Sequence, residues 1–205
     1  SITSERGVPG CPSAATSASV PPAMTLPVRK ARREGTRWVL REEGTLAIEE
    51  KHQIGNVADF CNDCGNCDVF CPEDGGPYVV KPRFFRTLEA WAADWPRDGF
   101  VLRRRGEAAH VWGRLQGREF HARVADGRAR FSGEGFDVAF DEARPEATLA
   151  GHAEPGADVD LTVFHVMNWL RRAGLDAPAA NYLNCADGPS GDGPAATVPP
   201  GDQHP

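Results

Sequence analysis

Four cysteines within eleven consecutive positions constrain this chain more than any other feature of its sequence. They are Cys61, Cys64, Cys67 and Cys71, and Pro72 follows the last of them. A secreted protein that is held by disulfides usually spreads its cysteines along the chain, and the N-terminus here shows no secretory signal pattern. The cluster therefore predicts a metal centre in a reducing compartment, which we expect to be the cytoplasm.

The spacing of these cysteines, C-x2-C-x2-C-x3-C-P, is the run that binds a [4Fe–4S] cluster in bacterial ferredoxins. Two-residue gaps let the chain curl around an iron–sulfur cube, so that three successive thiolates reach three irons, and Gly65 tolerates the tight curl. Structural zinc sites usually use two separated cysteine pairs with a longer spacer, and disulfides need an oxidising compartment. The sequence therefore predicts a [4Fe–4S] cofactor with the metal ligands Cys61, Cys64, Cys67 and Cys71.

Three different cysteines could supply the fourth iron ligand of the cube. In two-cluster ferredoxins the fourth cysteine of one run ligates the cluster of the other run, and this chain has a single run. Cys71 would then point to a second cluster, and a remote cysteine would complete the first. Cys11, which Pro12 follows, and Cys185, in a polar segment, are the other candidates.

The residues around the cysteines carry a longer pattern, CNDCGNCDVFCPEDGGPY, with His52-Gln53-Ile54 before it and Lys81-Pro82-Arg83 after it. In this pattern, residues 52–85 resemble the C-terminal ferredoxin module of the selenate reductase iron–sulfur/FAD subunit family. These are large flavoproteins related to the small subunit of glutamate synthase. The pattern is more specific than the generic ferredoxin run, and it covers about a sixth of the chain.

This resemblance implies electron transfer in a larger flavin-linked oxidoreductase, with a flavoprotein portion or subunit and a redox partner as partners. The chain has no G-x-G-x-x-G unit between a strand and a helix, so we expect that FAD is not bound by this chain. No arrangement of acid, base or nucleophile is recognisable, so no catalytic residue is predicted. The alternatives are a binding or regulatory module with a structural cluster, or a truncated, non-functional fragment.

Composition and periodicity predict an α+β fold in four parts. Residues 1–35 are rich in Ser, Ala, Pro and Gly and are predicted to be disordered, with the basic run at 29–33 as a solvated tether. Residues 36–98 would form the 4Fe–4S ferredoxin-type domain. Residues 99–185 would form an antiparallel β-meander closed by a helix over 157–173, which Asp158 or Asp160 caps. Residues 186–205 would be a disordered tail.

Net charge and hydropathy argue against two classes of partner. The formal charge is -6, whereas domains that bind nucleic acid are usually basic, so no nucleic acid is expected. No run of about 18 apolar residues is present, so no membrane span is expected. His110 and His121 lie on predicted strands without acidic or cysteine neighbours, and we interpret them as ordinary surface or core residues.

Overall fold

The computed structural model describes residues 2–3, 15–19, 24–48, 52–66, 69, 81–178 and 181–185. Strands dominate, with a few short helices, so the predicted α+β class is confirmed. The strands are β1 (Ile2–Thr3), β2 (Ala15–Ser19), β3 (Met24–Glu34), β4 (Arg37–Ile48), β5 (His52–Val57), β6 (Arg83–Phe85), β7 (Gly99–Arg105), β8 (Ala108–Leu115), β9 (Arg118–Ala125), β10 (Arg128–Gly133), β11 (Phe136–Asp141), β12 (Ala150–Ala153) and β13 (Asp158–Asp160). The helices are a 3-10 turn (Ala58–Phe60), α1 (Leu88–Ala93), α2 (Pro145–Thr148), α3 (Leu161–Gly174) and α4 (Tyr182–Cys185).

Strands β7 to β12 form an antiparallel meander in which each strand pairs with the next along the chain. Two of its turns contain consecutive residues with positive φ, Gln116-Gly117 and Asp126-Gly127. Such two-residue turns match the right-handed twist of the flanking strands and make tight hairpins. The meander is therefore built by local turn chemistry, as the sequence predicts.

Alternate side chains of the meander face inward and form the core with α3. On β9 the inward residues are Phe120, Ala122 and Val124, all buried. Helix α3 contributes Phe164 and Met167, which are fully buried against this inner face. We call the opposite side of the meander the outer face, and α1 covers one end of it.

The segment predicted to be disordered contains strands. Strand β3 pairs along its length with β4 and, on its other side, with β13 in a three-stranded sheet. The basic run that we interpreted as a tether lies in β3, where Arg32 makes two hydrogen bonds of 2.8 and 2.7 Å to Asp158. The prediction of disorder is therefore wrong for residues 24–34, because a hairpin with β4 and contacts with β13, more than 100 positions away, order them.

The ten-stranded sheet crosses the predicted domain boundary between residues 98 and 99. Its order is β1-β2-β5-β6-β7-β8-β9-β10-β11-β12. Strand β6 is parallel to β5 and to β7, so residues of the predicted iron–sulfur domain share a sheet with the meander. Residues 186–205 lie outside the described residues. Among the described helices, none has the length and apolar character needed to cross a membrane.

Candidate cysteine site

The structure describes part of the predicted cysteine site. Cys61 is half-buried and Cys64 is exposed, and both are free thiols. Cys67, Cys71 and Cys11 lie outside the described residues, and Cys185 is the last residue of α4. The geometry of the site is therefore that of its first half, residues 61–66.

Parallel pairing of two strands brings the chain to Cys61. Asn56 and Val57 at the end of β5 pair with Arg83 and Phe84 of β6. The 3-10 turn follows, and it ends where the backbone amide of Cys61 donates to the carbonyl of Ala58 at 3.0 Å. The cysteine segment therefore begins where β5 leaves the large sheet.

The backbone between Cys61 and Cys64 turns tightly. Asp63 has a φ of +53° and Gly65 a φ of +75°, which is the left-handed region that most residues avoid. The amide of Cys64 donates to Asn62 Oδ1 at 3.3 Å, and the thiol of Cys61 donates to Asp63 Oδ1 at 3.3 Å. The positive φ of Gly65 agrees with the tight curl that the spacing predicts.

Asp63 ties this curl to the body of the protein through an ion cluster that also contains Arg83, Asp94 and Arg97. Its two carboxylate oxygens accept hydrogen bonds from Arg83 at 3.0 Å and from Arg97 at 2.8 Å. Asp94 accepts a hydrogen bond from Arg97, and its Oδ2 lies 3.3 Å from Arg83 Nε in an ion pair without hydrogen-bond geometry. The hydrogen bond from Arg97, more than those from Cys61 and Arg83, lowers the pKa of Asp63 to about 2 despite its partial burial.

A buried arginine supports the ion cluster from the sheet. Arg114 of β8 is 1% exposed, and its guanidinium lies between the rings of Trp91 and Trp95, 4.4 and 4.7 Å from their centroids. It donates to the carbonyls of Trp91 and Arg97, both at 3.2 Å, and to the carboxylate of Glu119. Arg114 therefore holds the backbone of Arg97, whose side chain bonds Asp63.

Helix α4 packs against the residues that precede Cys61. The ring of Tyr182 meets that of Phe60 edge-on, with centroids 4.9 Å apart, and its hydroxyl donates to Asp59. Burial, followed by this contact with Asp59, raises the pKa of Tyr182. Cys185 follows Tyr182 by three residues, so the helix brings its backbone to the same region as Cys61.

The predicted description of this site as iron–sulfur, metal-binding and ferredoxin-type is wrong for the part of the chain that the structure describes. Within that part, no three or more His, Cys, Asp or Glu side chains form a group that could hold a metal ion. The physical reason is that Cys61 and Cys64 are two thiols, and the nearby Asp63 and Asp94 are paired with arginines.

The ion cluster was missed by sequence reasoning. In the sequence, Asp63 is one of the two residues that separate Cys61 from Cys64. Its partners Arg83 and Arg97 lie 20 and 34 positions away. No periodic or motif signal joins these positions, because a mixed set of loop and strand residues meets here. A charged residue inside a tight turn is a weak signal that could have marked Asp63.

Replacing Asp63 by asparagine is expected to lower the free energy of unfolding by about 1 kcal/mol, a modest effect because its side chain is 35% exposed. Because folding lowers the pKa of Asp63, its contribution is complete above about pH 4 and is lost as the pH falls through about 2. Urea unfolding between pH 2 and 7 measures the difference. Glu107→Gln, an exposed carboxylate in the β7–β8 turn, is the control. Equal effects of the two substitutions would contradict the anchoring role of Asp63.

Comparisons with protein-family models, with curated proteins and with solved structures find no match for this chain. The resemblance of residues 52–85 to the selenate reductase subunit family therefore stays a prediction.

Proposed function

We propose that this chain transfers single electrons as part of a larger flavin-linked oxidoreductase, with a [4Fe–4S] cluster on the complete four-cysteine run. The observation that carries the proposal is the spacing C-x2-C-x2-C-x3-C-P over Cys61–Pro72. The resemblance of residues 52–85 to a flavoprotein subunit family supports the same activity. The proposal concerns the whole run, of which Cys67 and Cys71 lie outside the described residues.

The donor atoms of the described half fit such a group. The thiols of Cys61 and Cys64 are free, and thiolate sulfur is the ligand that iron–sulfur clusters take from proteins. When bound, a [4Fe–4S] cluster supplies reversible one-electron storage. Cys61, Cys64 and Cys67 would hold it together with one cysteine from Cys71, Cys11 and Cys185.

The protein's own contribution is to fix the segment that carries the thiols. Asp63 lies between Cys61 and Cys64 and is held by Arg83, whose side chain is 7% exposed, and by Arg97. A loop ordered before ligation loses less conformational entropy when its side chains bind a ligand. The ion cluster therefore prepares the cysteine segment for its ligand and keeps it in place during electron transfer.

Exposed apolar side chains near the cysteines fit a redox partner. Phe60, directly before Cys61, is 50% exposed, and Val69, two residues before Cys71, is 80% exposed. Trp95 is 57% exposed and follows Asp94 of the ion cluster. Electron-transfer encounters use small, transient interfaces, and such a group of side chains suits one. We propose a flavoprotein portion or subunit as the donor, in the cytoplasm, where thiols stay reduced.

Anaerobic reconstitution with iron and sulfide tests the proposal. We expect about four irons per chain, broad visible absorption, and a paramagnetic signal after reversible one-electron reduction. Zinc binding without iron or sulfide would contradict it. A cluster that resists reduction or falls apart would instead favour a binding module with a structural cluster.

Cysteine variants then identify the ligands. Cys64→Ser is expected to abolish iron binding, because Cys64 lies between two other local ligands. Among the fourth-ligand candidates, the packing of α4 beside Phe60 favours Cys185. We therefore expect Cys185→Ser to lose most of its iron, and Cys11→Ser and Cys71→Ser to retain it. Retention by Cys185→Ser together with loss in one of the other two would assign the ligand to that residue.

A further inference from the structure

A row of basic side chains crosses four strands on the outer face of the meander. Arg103 of β7 is directly opposite His110 of β8, which is opposite Arg123 of β9, which is opposite Arg130 of β10. Directly opposite side chains on one face of a sheet lie about 5 Å apart. Three arginines and a histidine are therefore neighbours in a chain with a net charge of -6.

Aromatic rings lie beside this row. His110 Nδ1 is 3.0 Å from His121 Nε2, and the ring of His121 is within 13° of parallel to that of Trp112, with centroids 4.7 Å apart. The guanidinium of Arg105 lies over Trp112, 5.6 Å from the ring centroid. The two histidines therefore belong to one ordered group of side chains with Trp112 and Arg105.

The arginines of this face differ in their partners. Arg130 is paired with Asp137, and Arg128 with Asp141. Among the described residues, no carboxylate forms an ion pair with Arg105 or Arg123, and both are exposed. Arg103 donates to the carbonyl of Arg86 at 2.7 Å. The face therefore presents three cations, Arg103, Arg105 and Arg123, that the described carboxylates do not neutralise.

The histidines add no charge to this face at neutral pH. Burial, followed by the charges of Arg105 and Arg123, lowers the pKa of His110 to about 4. Burial, followed by the charges of His110, Arg130 and Arg105, lowers the pKa of His121 to about 4 as well, with Asp137 opposing. The two histidines are therefore neutral at this pH, hydrogen-bonded to each other, and placed between the arginines of the outer face.

Arg105 and Arg123 are exposed and form no ion pair with a described carboxylate. An anionic group above the row would neutralise them, because guanidinium groups bind carboxylates through two parallel hydrogen bonds. We propose that the outer face, through Arg105 and Arg123, binds an acidic segment of a partner protein. This proposal is independent of the cysteine site.

Two observations favour an acidic protein segment over nucleic acid. Binding of single strands relies on exposed aromatic rings on which bases stack, whereas Trp112 is 6% exposed beneath its neighbours. Asp137 and Asp141 also lie among the arginines of this face and would repel a continuous phosphate backbone. Separate carboxylates on a peptide can avoid these acidic positions.

Fluorescence anisotropy with a labelled ten-residue peptide of alternating glutamate and glycine tests the proposal on the full chain at low salt. The test variant is Arg105→Gln/Arg123→Gln. The matched control, Arg37→Gln/Arg172→Gln, removes the same charge from exposed arginines at the start of β4 and on α3. We expect about tenfold weaker binding for the test variant and less than a twofold change for the control.

Three results would overturn the proposal. The first is that the wild-type chain does not bind the peptide, and the second is that both double variants weaken binding equally, which indicates a general charge effect. The third is that a labelled ten-nucleotide thymidine strand binds the wild-type chain more tightly than the peptide, which assigns the face to nucleic acid. Circular dichroism of both variants checks that they fold, and their exposed positions predict that they do.

Discussion

Replacing Arg114 by methionine is expected to lower the free energy of unfolding by about 3 kcal/mol, measured by urea unfolding followed by circular dichroism. Arg114 is 1% exposed and bonds the carbonyls of Trp91 and Arg97 and the carboxylate of Glu119. Methionine fills much of the space between the two tryptophan rings, but it removes the guanidinium donor from the carbonyl of Arg97 and the carboxylate of Glu119. The carbonyl of Trp91 still accepts from the amide of Asp94. The lost buried hydrogen bonds, more than lost packing, account for the expected loss.

The matched control is Arg118→Met on the neighbouring strand. Arg118 is exposed, and its guanidinium lies 5.2 Å from the centroid of the Phe120 ring. Its replacement is expected to change the free energy of unfolding by less than about 1 kcal/mol. A loss in Arg114→Met no larger than in Arg118→Met would show that the buried hydrogen bonds contribute little. The order of the cysteine segment would then need another explanation.

Replacing Phe164 by alanine is expected to destabilise the chain by about 3–5 kcal/mol. Phe164 is fully buried in α3, and its ring is nearly perpendicular to that of Phe140, with centroids 4.6 Å apart. It also meets the ring of Phe131 edge-on at 5.7 Å. Removal of the ring leaves a cavity between α3 and the sheet. Phe131 of β10 and Phe140 of β11 then lose their contact with this ring.

Phe164→Leu separates the two components of this effect. Leucine keeps most of the apolar volume and loses the ring contacts, which contribute about 0.5–1.5 kcal/mol beyond buried area. We expect a loss of about 1–2 kcal/mol for leucine in the same unfolding measurement. If alanine and leucine were equally destabilising, the ring contacts with Phe131 and Phe140 would carry the whole effect, contrary to the cavity argument.

Local patterns in the sequence predicted the hairpins of the meander and helix α3. Alternating apolar residues and tight turns such as Asp126-Gly127 specify the meander, because side-chain period and turn conformation depend on neighbouring residues. Helix α3 was also predicted, and Asp160 caps it by accepting from the amides of Thr162 and Val163. Its start shifts from residue 157 to Leu161 because residues 158–160 pair with β3 as strand β13.

The helical spacing of Phe84, Leu88, Trp91 and Trp95 also predicts a helix over residues 84–95, and competition from strand pairing changed its bounds. Its apolar spacing was right for part of the segment, since Leu88–Ala93 form α1 with Thr87 as the N-cap. Phe84 and Phe85 instead join β6, where they pair with β7, and Phe84 also pairs with β5. A short apolar run suits a helix or a buried strand equally, and neighbouring strands decide between them.

Motif spacing, turn residues and periodicity act over a few positions, so they were enough to predict the hairpins of the meander and the capped helix α3 and to mark the cysteine run. Tertiary contacts alone determine that β3 pairs with β13, that Asp63 meets Arg83 and Arg97, and that Arg123 lies beside His110 and Arg130. These contacts join residues that are from 7 to more than 100 positions apart. Their physical reason is pairing register and packing, which bring together residues that no local pattern connects.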